Sequence, residues 1–241
     1  MSVQINYKNT LNKKNSSKNI VFFIDEKFDI SLIKKHILSS EYSFISDLLK
    51  ISDLKNEILA FNINSKKKII LVSLKKNQKS VDIENLGAKF YDKFKLIKQS
   101  NYILNSEYIP SKSKNVVGHF LHGLKLKSYK FEKYKSKKNK TNISISVFGK
   151  NKPSNNDQVK FQAIEEGTFY TRDLVSEPGN ILHPDEYAKR LNSLKKYGLK
   201  INILDEKKLK KLGMNTLLGV GQGSIRGSYL VTMHWNGLND K

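Results

Sequence analysis

The sequence contains no cysteine, few arginines and no long apolar run. The absence of cysteine excludes disulfides, thiolate zinc sites, iron–sulfur clusters and cysteine nucleophiles. No apolar run approaches the roughly 20 residues that a membrane-spanning helix needs. Residues 1–15 are polar and carry lysines, without the apolar core of a secretory signal. These absences predict a cytoplasmic protein that does not contact a membrane.

Positive charge dominates the chain, with 44 Lys+Arg against 22 Asp+Glu and a net charge of +22. Because only Arg172, Arg190 and Arg226 are arginines, 44 − 3 = 41 of the basic residues are lysines. Scarce arginine argues against base readout and bidentate phosphate recognition, whereas scattered lysines are typical of a solvated face. One segment, residues 125–140, has eight lysines interleaved with Tyr129, Phe131 and Tyr134. That pattern also fits a groove for single-stranded nucleic acid, so a basic binding module stays an alternative function.

Apolar patterning predicts strands that alternate with helices over residues 1–150. The predicted strands are 3–7, Asn19–Asp25, Lys68–Leu74, 101–104 and 142–148. Asp29 is predicted to cap a helix that carries Ile30, Ile33 and Ile37. Further amphipathic helices are predicted from Ser80 to Ile97 and from Val116 to Leu124. The alternation indicates an α/β domain with a mainly parallel sheet that ends near Phe148.

A turn-rich segment, 149–156, precedes a long amphipathic helix that ends at Pro178-Gly179. A second α/β segment then begins: Pro184 opens a helix, Gly198 ends it, and strands follow at 199–204 and 229–235. Two strands do not make a stable sheet domain alone. We therefore expect a second domain that is cut short, with an aggregation-prone sheet edge at 229–235.

Three glycines, Gly219, Gly221 and Gly223, are spaced as in a phosphate-binding loop. A dinucleotide fingerprint requires a strand before the glycines and a helix after them. Here a helix precedes and a strand follows, and no Gly-Lys-Ser/Thr is present. The segment is therefore predicted to be a tight, close-packed turn.

Histidines and carboxylates give no convincing active site. His119 and His122 share a helical face, but no carboxylate or third histidine lies near them in the sequence, so packing is expected rather than a metal. The adjacent pairs Glu165-Glu166 and Asp185-Glu186 diverge by about 100° on a helix, which disfavours paired acid–base work. Three further histidines are isolated in the sequence, and the last of them can cap a helix: His36, His234 and His183.

Residues 171–182, TRDLVSEPGNIL, resemble the entrance to the catalytic domain of the leucyl (cytosol) aminopeptidase family. The match to the family's Arg-Asp-Leu-x-x-x-Pro-x-Asn pattern is carried by Arg172, Asp173, Leu174, Pro178 and Asn180. Residues 209–214, 217–224 (LLGVGQGS) and 229–237 resemble the stretches that follow in the family. Residues 123–135 (GLKLKSYKFEKYK) resemble another family segment, which makes the basic and aromatic cluster a scaffold feature.

The resemblance implies a macro-type N-terminal domain over 1–150, a linker helix over 151–179 and the incomplete start of a catalytic domain over 180–241. It also implies a two-metal exopeptidase, using manganese or zinc, that removes N-terminal residues from peptides as a homohexamer. The family's ligand segments, Gly-Lys-Gly … Asp-x-Gly-Gly and Asn-Thr-Asp-Ala-Glu-Gly-Arg, are not present in this sequence. No catalytic, metal-binding or substrate-binding residue is therefore assigned to this chain, which is expected to be inactive alone. A truncated product without a function of its own is a third alternative.

Overall fold

A computed structural model describes residues 3–8, 19–97, 100–137 and 143–237. The strands are β1 Val3–Lys8, β2 Asn19–Asp25, β3 Ile58–Asn62, β4 Lys68–Leu74, β5 Ser100–Asn105, β6 Ile143–Phe148, β7 Lys200–Leu204 and β8 Leu230–His234. The helices are α1 Ser39–Ile51, α2 Ser80–Phe94, α3 Val116–Lys127, α4 Asn155–Ser176, α5 Pro184–Asn192, α6 Glu206–Lys211 and α7 Asn215–Gly221. Two 3-10 helices lie at Ser31–His36 and Ser193–Tyr197. Parts of the predictions above, on most of residues 1–15 and on Lys138, Lys140 and Asn142, lie outside the described residues.

The chain divides into two compact units, residues 1–170 and 171–241. In the first unit six strands form one sheet in the order β1-β6-β5-β2-β4-β3. All neighbouring strands are parallel except β3, which pairs antiparallel with β4. The predicted α/β class with a mainly parallel sheet is confirmed.

The neighbouring strands β2 and β4 are buried on both faces of this sheet. Side chains on one face, such as Phe23 and Val72, join a core closed by α2 and α3. Those on the other face, such as Phe22 and Leu71, join a core closed by α1 and the first 3-10 helix. Burial on both faces explains why these strands are continuously apolar in the sequence rather than alternating.

Helices α2 and α3 pack closely because each has a glycine at the crossing. A Cβ atom built on Gly123 would lie 1.9 Å from the carbonyl oxygen of Glu84, and one on Gly87 would lie 1.9 Å from that of Phe120. No side chain fits at either position unless the helices separate. This approach holds α3, and the histidines that it carries, against α2.

Two elements of the first unit were not predicted from the sequence, and one was predicted with the wrong length. The helix expected after Asp29 is only a six-residue 3-10 turn, in which Ile33 is buried, and α1 and β3 were missed. Helix α1 has Leu38 at its N-cap, where an apolar side chain gives no capping signal. The carboxylate of Glu41 instead accepts a hydrogen bond from the Leu38 N–H at 3.1 Å.

In the second unit α5 packs on an antiparallel pair of strands, β7 and β8. Helix α5 begins as predicted: Pro184 is its first residue, and the His183 side chain accepts a hydrogen bond from the backbone of Glu186. Gly198 follows the second 3-10 helix at a φ of 89°, the left-handed conformation expected of a C-terminal cap. The two strands predicted at 199–204 and 229–235 are confirmed.

The described residues contain no candidate for a membrane-spanning helix. None of their helices combines the length and the apolar character that crossing a bilayer requires.

Candidate functional site

The histidine pair of α3 does not converge on one point. Nδ1 of His119 lies 2.8 Å from Oε1 of Glu84 on α2, and Nδ1 of His122 lies 3.0 Å from Oε1 of Glu165 on α4. The ring of Phe161 lies against both imidazoles, 5.2 and 5.0 Å away between centroids. No carboxylate lies near these histidines in the sequence, and tertiary packing brings one to each of them. Within the part of the chain that the structure describes, no three His, Asp or Glu side chains group as a metal site requires.

Glu165 lies at the centre of a buried polar cluster in the first unit. Its Oε2 is 2.8 Å from Nζ of Lys125, and its Oε1 faces His122. Burial, with the nearby charge of Glu165, raises the pKa of Tyr7 to about 12. These groups line a cavity of about 260 Å³. The carboxylate is shared by two donors, so the arrangement fastens α4 to α3 rather than presenting a free base.

The neighbouring carboxylate has a different environment. Glu166 is exposed and accepts a hydrogen bond from Nε2 of Gln162 at 2.8 Å, whereas Glu165 is buried. The predicted divergence of this adjacent pair on a helix is confirmed.

The basic and aromatic segment that begins at Lys125 is partly engaged within the first unit. Lys125 pairs with Glu165, and Nζ of Lys127 lies 3.1 Å from Oδ2 of Asp92. The rings of the segment also contact one another or α4; these contacts join Phe131 to Tyr134 and Tyr129 to Phe169. The aromatic faces that a single-stranded nucleic acid would stack on are therefore partly used in packing.

The three glycines of the predicted turn adopt another structure. Gly219 and Gly221 lie in α7, and only Gly223 follows it. Nothing lies within 4 Å of a Cβ built on Gly219 or on Gly223. The expected tight turn is wrong for Gly219 and Gly221, because both lie in a helix that begins at Asn215. Close packing is found at Gly221 alone, where an added Cβ would lie 2.0 Å from Oγ of Ser228. The order of elements, helix before and strand after, is as predicted and does not form a dinucleotide site.

An ion-pair network organises the entrance segment of the second unit. Arg190 on α5 places Nη1 3.0 Å from Oε1 of Glu177 and Nε 3.0 Å from Oε1 of Glu186. The hydrogen bond from Arg190 lowers the pKa of the Glu186 carboxyl. Nδ1 of His183 contacts Asp185, which also pairs with Arg226. These contacts tie the end of α4 to α5 and satisfy every carboxylate that sequence reasoning considered there.

The other two histidines, His36 and His234, take no part in the polar clusters described above. Burial, together with the charge of Lys35, lowers the pKa of His36. His234 is exposed at the end of β8. Neither is part of a site.

Sequence reasoning missed a cleft of about 580 Å³ beyond the carboxyl ends of β5 and β6. Its polar lining includes Ser111, Ser113, Lys114, Lys150 and Asp157. The loops that follow two neighbouring parallel strands meet at one sheet edge, which is where open α/β sheets commonly bind ligands. The position of these polar residues after two neighbouring strands was the feature of the sequence that could have revealed the cleft.

Known proteins match parts of this chain. The model of the cytosol aminopeptidase family, catalytic domain, matches residues 169–241. A probable cytosol aminopeptidase of Phytoplasma mali is 45% identical over 129 residues, which are 51% of this chain and 26% of that protein. One from Brucella suis biovar 1 is 42% identical over 127 residues, covering 49% of this chain and 25% of that protein.

Solved structures share the fold over nearly the whole chain. A mutant of tomato leucine aminopeptidase has a TM-score of 0.74 at 18% identity and covers 96% of this chain and 50% of that one. The bottromycin maturation enzyme BotP, in complex with Mn, has a TM-score of 0.66 at 15% identity and covers 91% and 45%. The chain thus spans at most about half the length of these relatives. The resemblance seen in the sequence is confirmed: the chain is similar to members of the leucyl (cytosol) aminopeptidase family, and residues 169–241 match its catalytic domain.

Proposed function

We propose that this chain supplies part of a metal-dependent aminopeptidase that removes N-terminal residues from peptides. The observation that carries the proposal is the match of residues 169–241 to the family's catalytic domain, supported by 45% identity to the Phytoplasma mali relative. That segment includes the Arg190 network, which fixes where the chain enters the domain.

The proposed organisation has three parts: a macro-type domain over 1–150, a linker helix over 151–179 and the start of the catalytic domain over 180–241. Support comes from the positions of the elements. Strand β6 ends at Phe148, α4 spans Asn155–Ser176 and α5 begins at Pro184. The first unit has five parallel strands with an antiparallel edge strand.

A centre of two manganese or zinc ions is part of the proposal for the whole enzyme. The described side chains do not fit such a centre, because no three potential ligands come together among them. We therefore assign no catalytic step to these residues, and we propose that the 241-residue chain alone is inactive. Its own contribution is structural: Glu165 fixes α4 in the first unit, and Arg190 fixes α5 to the end of α4 in the second.

The remaining proposals concern the whole enzyme. We propose peptide substrates and a cytoplasmic location, with support from the name of the relatives, cytosol aminopeptidase. We also propose a homohexameric assembly, which the family resemblance implies. Nucleic-acid binding is not proposed, since the basic segment contacts Glu165, Asp92 and α4.

The test is reconstitution of the enzyme from two polypeptides. The 241-residue chain is mixed with the part of the Phytoplasma mali relative that follows its matched segment. Hydrolysis of Leu-p-nitroanilide is then measured with Mn²⁺ and with EDTA. We expect turnover only from the pair, and only with metal. Turnover by the 241-residue chain alone would refute the proposal that this chain lacks the catalytic residues. A stable complex of the two polypeptides without hydrolysis would refute the aminopeptidase proposal.

A further inference from the structure

The cleft of about 580 Å³ at the carboxyl ends of β5 and β6 takes no part in the organisation proposed for the enzyme. Because the two strands are parallel neighbours, the loops that follow them form its two walls. One wall lies within residues 109–117 and includes the start of α3, and the other lies within 150–157 and includes the start of α4. Small-molecule sites occupy clefts of roughly 300–1,000 Å³, so this one is large enough for a small organic ligand.

Hydrogen bonds within the first unit hold both walls of the cleft in place. Nδ2 of Asn151 donates to the carbonyl oxygens of Ser106 and Glu107, at 2.7 and 3.2 Å, which joins the two loops. The N–H of Lys112 donates to the carbonyl oxygen of Lys76 at 2.8 Å, which fastens the first wall to the loop after β4. The cleft is therefore preformed, and a ligand does not bear the entropic cost of ordering these loops.

The charged side chains that line the cleft are mostly positive. They are Lys114, Lys150, Lys152 and Asp157. The carboxylate of Asp157 accepts a hydrogen bond from the hydroxyl of Ser154 at 2.7 Å, so it is engaged at the start of α4. No carboxylate of the described residues pairs with Lys114 or Lys150. Two uncompensated positive charges therefore border the cleft, and they favour an anionic ligand.

The start of α3 adds hydrogen-bond donors to the cleft that the lysines border. Val116 and Val117 are the first residues of this helix, both line the cleft, and no described side chain caps this end. The first N–H groups of a helix have no partner within the helix and favour negative charge. Lysine binds phosphate as a point charge, without the paired geometry that arginine provides. A phosphate monoester carries a charge of about −1.5 to −2 at pH 7, which matches two lysines.

We propose that this cleft binds a small organic phosphate. The phosphate group lies against Lys114 and Lys150 at the start of α3, and the serine hydroxyls of the lining contact the uncharged part of the ligand. A nucleic acid is disfavoured, since each of its phosphates carries a single charge. The inference does not rest on the proposed function, because the cleft belongs to the first unit and the match to the catalytic domain begins at residue 169.

The experiment measures binding to the full 241-residue chain by isothermal titration calorimetry. Inorganic phosphate and glucose 6-phosphate are the ligands, and glucose is the control that lacks the phosphate group. We expect both phosphates to bind and glucose not to bind. Nuclear magnetic resonance of the isotope-labelled chain locates the site, because the amide signals of Val116 and Val117 should shift when glucose 6-phosphate is added.

Lys114→Gln and Lys150→Gln each remove one positive charge from an exposed position, so the fold should be little affected. Each should weaken the binding of glucose 6-phosphate about threefold to fivefold, and the two together about tenfold, as expected for partly solvated charge contacts. Lys152 is left unaltered, because its Nζ donates to the carbonyl oxygen of Lys8 at 2.9 Å. Lys66→Gln is the matched control, since this exposed lysine precedes β4 at the opposite edge of the sheet. It should bind as the unaltered chain does.

Three results would overturn the proposal. They are no binding of either phosphate at millimolar concentration, equal losses in Lys66→Gln and in the cleft variants, and amide shifts outside residues 109–117 and 150–157. A short single-stranded DNA is the last ligand. If it binds more tightly than glucose 6-phosphate and loses affinity in the same two variants, the cleft belongs to a nucleic acid and the proposal is wrong. None of these readouts measures peptide hydrolysis, so the aminopeptidase proposal is tested separately.

Discussion

Replacement of Glu165 by alanine should destabilise the first unit far more than replacement of its neighbour. The Glu165 and His122 side chains are each 6% exposed, and that of Lys125 is 19% exposed. Removing one partner of a buried ion pair costs about 3–5 kcal/mol, because the other charge is left without compensation. Lys125 retains some access to water, so we expect a cost of about 2–3 kcal/mol.

The expected change in melting temperature follows from the size of the unit. At roughly 2.1 cal/mol/K per residue, a 170-residue unit has an unfolding entropy of about 0.36 kcal/mol/K. Glu165→Ala should therefore lower its melting temperature by about 6–8 °C. Glu166→Ala is the control, since that side chain is exposed, and it should change stability by no more than about 0.5 kcal/mol.

Thermal unfolding followed by far-UV circular dichroism is the appropriate assay. Fluorescence of the single tryptophan, Trp235, reports the second unit and should not change. Hydrogen exchange should show faster opening of α3 and of the first turns of α4. Equal melting temperatures for Glu165→Ala and Glu166→Ala would refute the role given to the buried carboxylate.

Three further predictions concern the first unit. Lys67→Met should cost about 3 kcal/mol in urea unfolding, because Glu41 loses a buried ion pair at 2.6 Å. Adding Glu41→Leu to that variant should recover most of the loss, since both buried charges are then replaced by apolar side chains. Gly123→Ala should lower the melting temperature, since the added Cβ would lie 1.9 Å from a backbone oxygen. Gly167→Ala in α4 should raise the melting temperature slightly, because no atom lies within 4 Å of the added Cβ. The raised pKa of Tyr7, about 12 against 10.0 for a free phenol, gives stability that is present below pH 10 and lost as pH rises toward 12. After allowance for partial exposure this amounts to on the order of 1 kcal/mol, and Tyr7→Phe should abolish that part of the pH dependence.

Individual strands and helices could be predicted where one regular pattern of apolar residues runs through the whole element. Strand β4 could be predicted because it is a short run of mainly apolar residues between lysines, and α2 and α3 show a periodic apolar stripe. Helix α1 was missed because its N-terminus is capped by Glu41 through the backbone of Leu38, which no local sequence rule signals. Strand β3 is a five-residue edge strand whose pairing depends on β4, so its neighbours in space determine it.

The sites were harder to predict, because their partners are distant in the sequence. Glu84 and Glu165 lie 35 and 43 positions from the histidines that they contact. Arg190 pairs with both Glu177 and Glu186. Only the pair with Glu186 has the spacing of neighbours on a helix, so the pair with Glu177 could not be inferred from the sequence. The family resemblance at 171–182 could be recognised because the residues that carry it lie in one short segment of the sequence.

The central claim, that this chain contributes to an exopeptidase, is tested most directly by the products that the reconstituted pair forms. A leucine-initiated peptide is incubated with the pair and Mn²⁺, beside the same peptide with an acetylated N-terminus, and both are followed by mass spectrometry. The account predicts free leucine and a peptide shortened by one residue, with the acetylated peptide left intact. Cleavage of the acetylated peptide, or release of internal fragments, would contradict it.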